Sequence, residues 1–330
     1  MKIDVVYLWV DGNDKKWQKE KNKWLKRYHI VSNDSTHKAR WRNNDELKYS
    51  LRSIAKNIPW ANHIYIITGF NQVPKWLNTK NPRITIVSHS EIMPENTIPT
   101  FNSNAIAMCI GNIEQLNEHF LLFNDDIFIN RPVSQNFFFT KNGRPIYRYK
   151  KRKNIQNIGK MMENKSEYEL RLLNTQKLIY DLYNRNVYKY LPAHGVESHK
   201  KSTWIQCLKH PLLNKHIINQ IYSKFRTNNG VQPQIFSLIN IIYKHCKTLR
   251  VRDYKHTHNK LWNFIYNNIL HKKSVHLCPF YCSDATKISE LTYKPYDICV
   301  NDEPTNTDTV CKNNKRILEQ MFPNKCEFEK

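Results

Sequence analysis

The sequence predicts an α/β fold in which a mostly parallel sheet carries helices on both faces. Three observations support it. Short apolar runs at 3–10, 63–68, 84–87 and 119–123 have almost no polar face of their own, as strands buried on both sides do. Segments with helical spacing alternate with them, the pattern that generates parallel crossover units. Three apolar runs end in acidic clusters, at Asp11-Gly12, Asn124-Asp125-Asp126 and Asn301-Asp302. In open sheets of this kind, ligands bind just outside the carboxyl ends of the strands.

Taken in order, residues 3–10 are rich in β-branched and aromatic side chains and form a first strand, closed by the turn cluster Asp11-Gly12-Asn13-Asp14. Residues 17–28 are dense in Lys and helical. A second helix covers 43–54, with an Asn/Asp cap, acids in its first turn, and Leu47, Leu51 and Ile54 on one face. Pro59 closes it. Strands follow at 63–68, ending at Gly69, and at 84–87. After a loop flanked by Pro94 and Pro99, a helix at 101–113 leads into His119-Phe120-Leu121-Leu122-Phe123 and the cluster Asn124-Asp125-Asp126. Phe137-Phe138-Phe139 and Ile146-Tyr147-Arg148-Tyr149 read as short edge strands. This alternation makes the sheet Rossmann-like.

The character changes at Lys150-Lys151-Arg152-Lys153. Helical spacing dominates 166–186, 204–225 and 232–245, while 249–273 is basic, aromatic and without a clear period. Residues 297–300 form a late strand and 315–321 a terminal helix. The chain therefore divides into an α/β core at 1–150, a mainly helical region at 151–290, and a strand and helix at 291–330 that return to the core.

Apolar content of 40% with 12% aromatic residues excludes a disordered chain, and 330 residues are ample for a core. No run approaches the ~20 apolar residues of a spanning helix; the longest candidate, 235–243, carries Ser237 and Asn240. The first ten residues are too short for a signal peptide and are interrupted by Asp4. The eight cysteines show no CxxC pair, and Cys278 with Cys282 has no matching zinc-finger pair, so reduced thiols in a cytoplasmic protein are expected. Lys and Arg exceed Asp and Glu by 52 to 28, a formal charge of +24 that calls for an anionic partner: nucleic acid, an anionic membrane surface or a phosphorylated substrate.

Asp125 and Asp126 side by side resist burial unless a cation or a proton neutralises them. Mg²⁺ (or Mn²⁺) chelated to a diphosphate suits them, because Mg²⁺ takes one or two carboxylates together with phosphate oxygens. A polar turn after a core strand is the alternative. Three acidic strand ends point to a shared acidic pocket, and the surrounding positive charge suits phosphoryl chemistry on a nucleotide-linked substrate.

Several stretches resemble the Stealth proteins. Ile3-Asp4-Val5-Val6-Tyr7 through Trp9-Val10-Asp11-Gly12-Asn13-Asp14 is similar to their first conserved region. Asn44-Asp45-Glu46-Leu47, Ser50-Leu51-Arg52-Ser53, Pro99-Thr100-Phe101-Asn102-Ser103 and Asn124-Asp125-Asp126 resemble the second. Pro192-Ala193-His194 with Phe225-Arg226 is similar to the third, and Cys299-Val300-Asn301-Asp302 with Phe322-Pro323 to the fourth.

The resemblance implies a hexose-1-phosphate transferase that builds phosphodiester-linked capsular or surface polysaccharide. A UDP-sugar is the donor, an oligosaccharide or lipid-linked glycan the acceptor, and UMP the product. In this reading 1–150 binds the nucleotide sugar and 151–290 holds the acceptor and catalytic residues. Asp126 matches an essential aspartate, with Asp125 beside it, and the pair serves Mg²⁺ binding or placement of the acceptor hydroxyl. His194 matches a histidine suited to act as general base or as donor to the phosphate. Arg226 matches an arginine able to clamp phosphate oxygens. Trp9, Asp11, Gly12, Arg52, Asn124, Asn301 and Asp302 are expected to line the substrate pocket, although a helical Arg52 also suits a salt bridge.

This chain departs from the family pattern in three places: Gly195-Val196 after His194, Asn228-Asn229-Gly230 after Arg226, and Ala107 where a helical Glu is usual. The rival enzyme is a metal-dependent glycosyltransferase, whose GT-A-like sheet also ends a strand in aspartates and which releases UDP. The rival from another class is a basic nucleic-acid-binding protein, which lacks any recognisable motif here, so no nucleic acid is expected. The charge also suits peripheral contact with the anionic inner face of the bacterial plasma membrane.

Overall fold

The computed structural model describes residues 1–30, 36–152, 162–163, 165–251, 279–291 and 295–330. Much of the basic segment expected at 249–273, together with Lys153 and Cys278, lies outside them. The strands are β1 (Ile3–Leu8), β2 (Ile64–Thr68), β3 (Ile84–Ser88), β4 (His119–Asn124), β5 (Ile127–Ile129), β6 (Ile146–Lys151), β7 (Tyr190–Pro192), β8 (Glu197–Lys200), β9 (Lys247–Arg250), β10 (Phe280–Cys282) and β11 (Asp297–Val300). The principal helices are α1 (Lys15–Arg27), α2 (Glu46–Asn57), α3 (Ser103–Met108), α4 (Glu167–Tyr183), α5 (Lys201–Lys209), α6 (Pro211–Ile221), α7 (Gln234–Ile242) and α8 (Asp308–Met321).

The central sheet has the order β3-β2-β1-β4-β8, parallel except for β8. Successive residues of its strands serve opposite cores, which is why the strands read as continuous apolar runs. Val6, Tyr65, Ile67, Phe120 and Leu122 face a layer that includes Trp204 and Phe236. Val5, Tyr7, Ile64, Ile66, Leu121 and Phe123 face Leu47, Leu51 and Ile54 of α2. The predicted mostly parallel α/β sheet is therefore present.

Strand order runs outward from β1 through β2 to β3, then resumes on the other side with β4, so the switch point lies between β1 and β4. Leu8 pairs with Asn124 there, so the clusters following Leu8 and Asn124 emerge side by side. β11 pairs antiparallel with β5, directly after the Asp125-Asp126 turn, and parallel with β10.

Local chemistry redraws several expected elements. Phe137-Phe138-Phe139 is a tight turn (3₁₀ over Gln135–Phe137), because Phe138 and Phe139 are both fully buried and a pleated strand would send them to opposite faces. The helix expected at 204–225 is two helices, broken at His210-Pro211; proline lacks the N–H and disfavours helix in the residue before it. The helix expected at 101–113 ends at Cys109, followed by a 3₁₀ turn over Ile110–Asn112, where Gly111 lies so close to Trp204 that a Cβ would come within 2.6 Å. β8 comes from the 151–290 segment yet joins the central sheet beside β4, so that segment shares the α/β core.

Candidate functional site

The site forms at the switch point. Asp11 leaves β1 with its backbone clamped by Gln72: the Asp11 N–H donates to Gln72 Oε1 at 2.9 Å, and Gln72 Nε2 donates to the Asp11 carbonyl at 3.0 Å. The Asp11 carboxylate closes its own turn by accepting from the Asn13 N–H at 3.0 Å. Gly12 is required by close approach, since a Cβ would lie 1.9 Å from the Trp41 carbonyl oxygen.

Asp125 and Asp126 occupy the turn between β4 and β5, and Asn124 beside them is exposed. The Asp126 carbonyl accepts from the Val300 N–H at 3.0 Å, so β11 fixes the turn. Asp126 Oδ2 accepts from the buried Cys299 thiol at 3.3 Å, while Oδ1 is buried without a hydrogen-bond partner. Ligand atoms of Asp126, His194 and Cys299 lie within 4.8 Å of one another. Burial pushes the Asp126 carboxyl up, opposed by His194 and the Cys299 hydrogen bond.

Asp125 turns to different company. Burial and then the charges of Glu46 and Asp126 push its carboxyl well above the usual range. Glu46 is itself raised to about 7, by burial and the Asp126 charge, against hydrogen bonds from Asn44 at 2.7 Å. Burial and the neighbouring negative charges thus favour the protonated form of both carboxyls. Below it, Tyr7 Oη donates to Ser50 Oγ at 2.6 Å, and Ser50 donates to the Ile127 carbonyl at 2.5 Å.

His194 is held between β7 and β8, with the rings of Tyr281 at 5.1 Å and Tyr168 at 6.5 Å meeting it edge to face. Gly195 is required here too: a Cβ would lie 2.4 Å from Asp297 Oδ2 and 2.5 Å from Pro279 Cγ. Asp297 Oδ2 accepts from the Val196 N–H at 3.2 Å, so β11 also anchors the loop that presents His194.

Asn301 Nδ2 donates to Tyr281 Oη at 2.7 Å, and that hydroxyl donates to Glu303 at 2.9 Å. Asp302 pairs with Arg42 at 3.3 Å, and its carbonyl accepts from Arg40 at 2.7 Å. Arg226 follows Phe225, which stacks on Phe101 at 5.2 Å; Asn102 Nδ2 donates to the Phe225 carbonyl at 3.2 Å. Phe101 and Phe225 share an apolar cluster with Trp17 and Trp41, the residue against which Gly12 is pressed.

The structure thus joins Asp126 and His194, and ties Asn301 to the Tyr281 ring beside His194. Two assignments change. Trp9 is 7% exposed and belongs to the core beneath the sheet, so it is no stacking platform. Arg52 binds Glu329 bidentately at 2.7 and 2.9 Å and donates to the Phe322 carbonyl at 2.7 Å, clasping the C-terminal segment. Asp125 stands outside the group formed by Asp126, His194 and Cys299, and burial and the Glu46 charge push its carboxyl up.

For a cation, the partnerless Asp126 Oδ1 supplies one oxygen, and Mg²⁺ or Mn²⁺ completed by diphosphate oxygens fits that arrangement. Ligation by Asp126, His194 and Cys299 together would be a Zn²⁺-type donor set.

Sequence reading missed Cys299, Glu46, Arg40 and Arg42. Cys299 had a signal in strand alternation: Ile298 and Val300 pack into one cluster, so Asp297 and Cys299 face the other way, toward the site. Glu46 read as an ordinary first-turn acid.

Two family models match the chain: Stealth protein conserved region 1 over residues 1–29 and conserved region 2 over residues 40–147. Capsular polysaccharide phosphotransferase cps1A of Actinobacillus pleuropneumoniae is 36% identical over 252 residues, covering 73% of this chain and 65% of its own. Capsular polysaccharide phosphotransferase WcwK of Streptococcus pneumoniae is 29% identical over 99% of both chains. Exopolysaccharide phosphotransferase SCO6023 of Streptomyces coelicolor is 46% identical over 142 residues, 43% of this chain and 24% of its own. The chain thus spans between 24% and 65% of the length of the first curated relatives it matches. Among solved structures, the galactosyltransferase LgtC, in complex with donor and acceptor sugar analogs, is 9% identical with a TM-score of 0.46 over 97% of this chain and 95% of that one.

Proposed function

The chain belongs to the Stealth family, and from that membership we propose that it is a sugar-phosphate transferase. It moves a hexose-1-phosphate from a UDP-sugar to a hydroxyl of an oligosaccharide or lipid-linked glycan. The acceptor oxygen bonds to the phosphorus that carries the sugar, the bond from that phosphorus to the bridging diphosphate oxygen breaks, and UMP leaves with that oxygen. A phosphodiester link in a surface polysaccharide results.

The observation that carries this reading is the meeting of Asp126 and His194, 68 positions apart in sequence, at the switch point of the sheet. His194 takes the proton of the acceptor hydroxyl, its ring oriented by the edges of Tyr168 and Tyr281. Asp126, with Oδ2 tied to Cys299, presents Oδ1 as the oxygen ligand for a divalent cation. When bound, Mg²⁺ neutralises charge on the diphosphate and on the departing phosphate. Arg226 offers a guanidinium to phosphate oxygens. Arg40 adds positive charge near Asp126 and is held by Asp302. The protonated form favoured at Asp125 and Glu46 limits repulsion of an anionic donor.

The test is product identity. Incubation with a panel of UDP-sugars and a glycan primer should release UMP and give a phosphodiester signal by phosphorus NMR. Release of UDP with no phosphorus in the product would establish a glycosyltransferase instead.

A further inference from the structure

Residues 198–251 contain nine Lys or Arg and no Asp or Glu, in a chain with 28 acids among 330 residues. This stretch includes α5 and α6, whose outward faces differ from an ordinary solvated surface. On α6 the core side is Leu213, Ile217 and Ile221. The opposite side carries Leu212, Lys215, Ile218 and Tyr222, at spacings of three and four residues. Leu212 and Tyr222 are each 49% exposed and Ile218 38%. On α5 the same spacing aligns Ser202, Ile205, Gln206 and Lys209, with Ile205 exposed.

Ser202 and Gln206 also line a cavity of about 410 Å³ whose other walls include Arg144, Lys200, Lys244 and His245, with no acid among its lining residues. The cavity therefore opens along the same strip as Ile205 and Lys209. Glu114 is exposed beside the start of α5, where its carbonyl accepts from Lys201 Nζ at 2.9 Å. Glu118 is bound by Lys200 at 3.0 Å and by the Ser202 hydroxyl at 2.6 Å. Asp181 pairs with Lys177 at 2.6 Å. Glu95 adjoins Asn96, whose Nδ2 meets the Tyr222 hydroxyl at 3.4 Å.

We propose that this strip docks the protein on an anionic phospholipid bilayer. A lipid phosphate enters the basic cavity, and Ile205, Leu212, Ile218 and Tyr222 rest in the boundary between headgroups and acyl chains. Interleaved cations and exposed aliphatic side chains select that occupant. A nucleic acid or an acidic protein surface would use the lysines but leave the three aliphatic side chains without apolar contact. A second copy of this chain would set like charges against each other. The proposal goes beyond the transferase reading and stands without it, because binding is measured with no sugar substrate present.

Co-sedimentation with phosphatidylglycerol-rich vesicles and with phosphatidylcholine vesicles tests it. The full chain should bind the first and not the second. The double variant K209E/K215E and the cavity variant K244E should each weaken binding by about tenfold or more, and L212D/I218D should do likewise at low salt. Transfer to a soluble acceptor should be unchanged in all of them. Equal partition of the wild type into both vesicle types would overturn the proposal. So would undiminished vesicle binding by K209E/K215E, a surface change that keeps the test readable if L212D/I218D fails to fold. Tight oligonucleotide binding that blocks vesicle binding, or concentration-dependent dimerisation lost in L212D/I218D, would assign the strip to those occupants instead.

Discussion

Arg52 is expected to determine whether this chain stays folded and to leave its chemistry alone. Its side chain is 4% exposed and that of Glu329 2%, so the pair lies in the interior. Burial works against the Glu329 carboxylate, yet Arg52 holds it below the usual carboxylate range. Arg52→Ala would leave that charge with only Lys48 at 4.0 Å and the Cys326 N–H at 3.1 Å, and would remove a donor from the Phe322 carbonyl. Glu319 adds little, being 47% exposed. Removing one partner of a buried pair costs about 3–5 kcal/mol. At roughly 2 °C per kcal/mol for a chain of this size, the melting temperature should fall by about 6–10 °C. Replacing both partners with apolar residues, R52M/E329M, should recover most of the loss, because no charge is then stranded. The assay pairs thermal unfolding with initial transfer rates well below the transition. If Arg52→Ala melts within about 2 °C of wild type but loses transfer, Arg52 belongs to the substrate pocket and the clasp is incidental.

The other predictions address the site itself. Asp126→Asn and His194→Ala should each lower kcat by about 10²–10⁴ while the far-ultraviolet circular dichroism stays that of wild type; near wild-type turnover in either would remove that residue from the mechanism. Gly195→Ala should drive a Cβ against Asp297 and Pro279, destabilising by about 1–3 kcal/mol and displacing His194; a crystal structure of the variant with His194 unmoved would contradict this. The Glu46–Asp125 pair predicts a pH trend in the free protein. Glu46 titrates near 7 when folded and near ~4.3 when unfolded, so the two states bind protons alike below that lower value. Between the two values the unfolded chain has lost a proton that the folded one keeps. The Glu46 contribution to stability should therefore fall as pH rises from about 5 to 7, by up to ~1.4 kcal/mol per pH unit, and level off above. Thermal melts of Glu46→Gln should show a shallower slope, since the raised Asp125 carboxyl still contributes, and an equal slope in the variant would refute the assignment.

Much of the fold was legible because each central strand is buried on both faces, which leaves a continuous apolar run in the sequence. Helix boundaries were less legible where tertiary contact overrode periodicity. Ala105 to Met108 continue an apolar run, but Gly111 against Trp204 turns the chain earlier than its composition suggests. Pro211 was visible in the sequence and sufficed to break the helix.

The site divides along the same line. Asp126 and Asp11 could be located because a polar cluster after a buried strand marks a carboxyl edge, and strand order then places two such edges together. The partners that set their behaviour come from far away in sequence: Cys299 lies 173 positions from Asp126, and no local pattern records that encounter. Arg52 shows the converse. Its position on a helix face within a motif-like segment suggested a ligand contact, and only the return of Glu329 through space reveals what its charge meets. β11 explains why the late segment matters to both outcomes. It pins the Asp126 turn through Val300, supplies Cys299 to the carboxylate and uses Asp297 to hold the loop after His194. A change that displaced β11 would therefore disturb Asp126 and His194 together, and substitutions along it should affect both residues as a unit instead of adding independently.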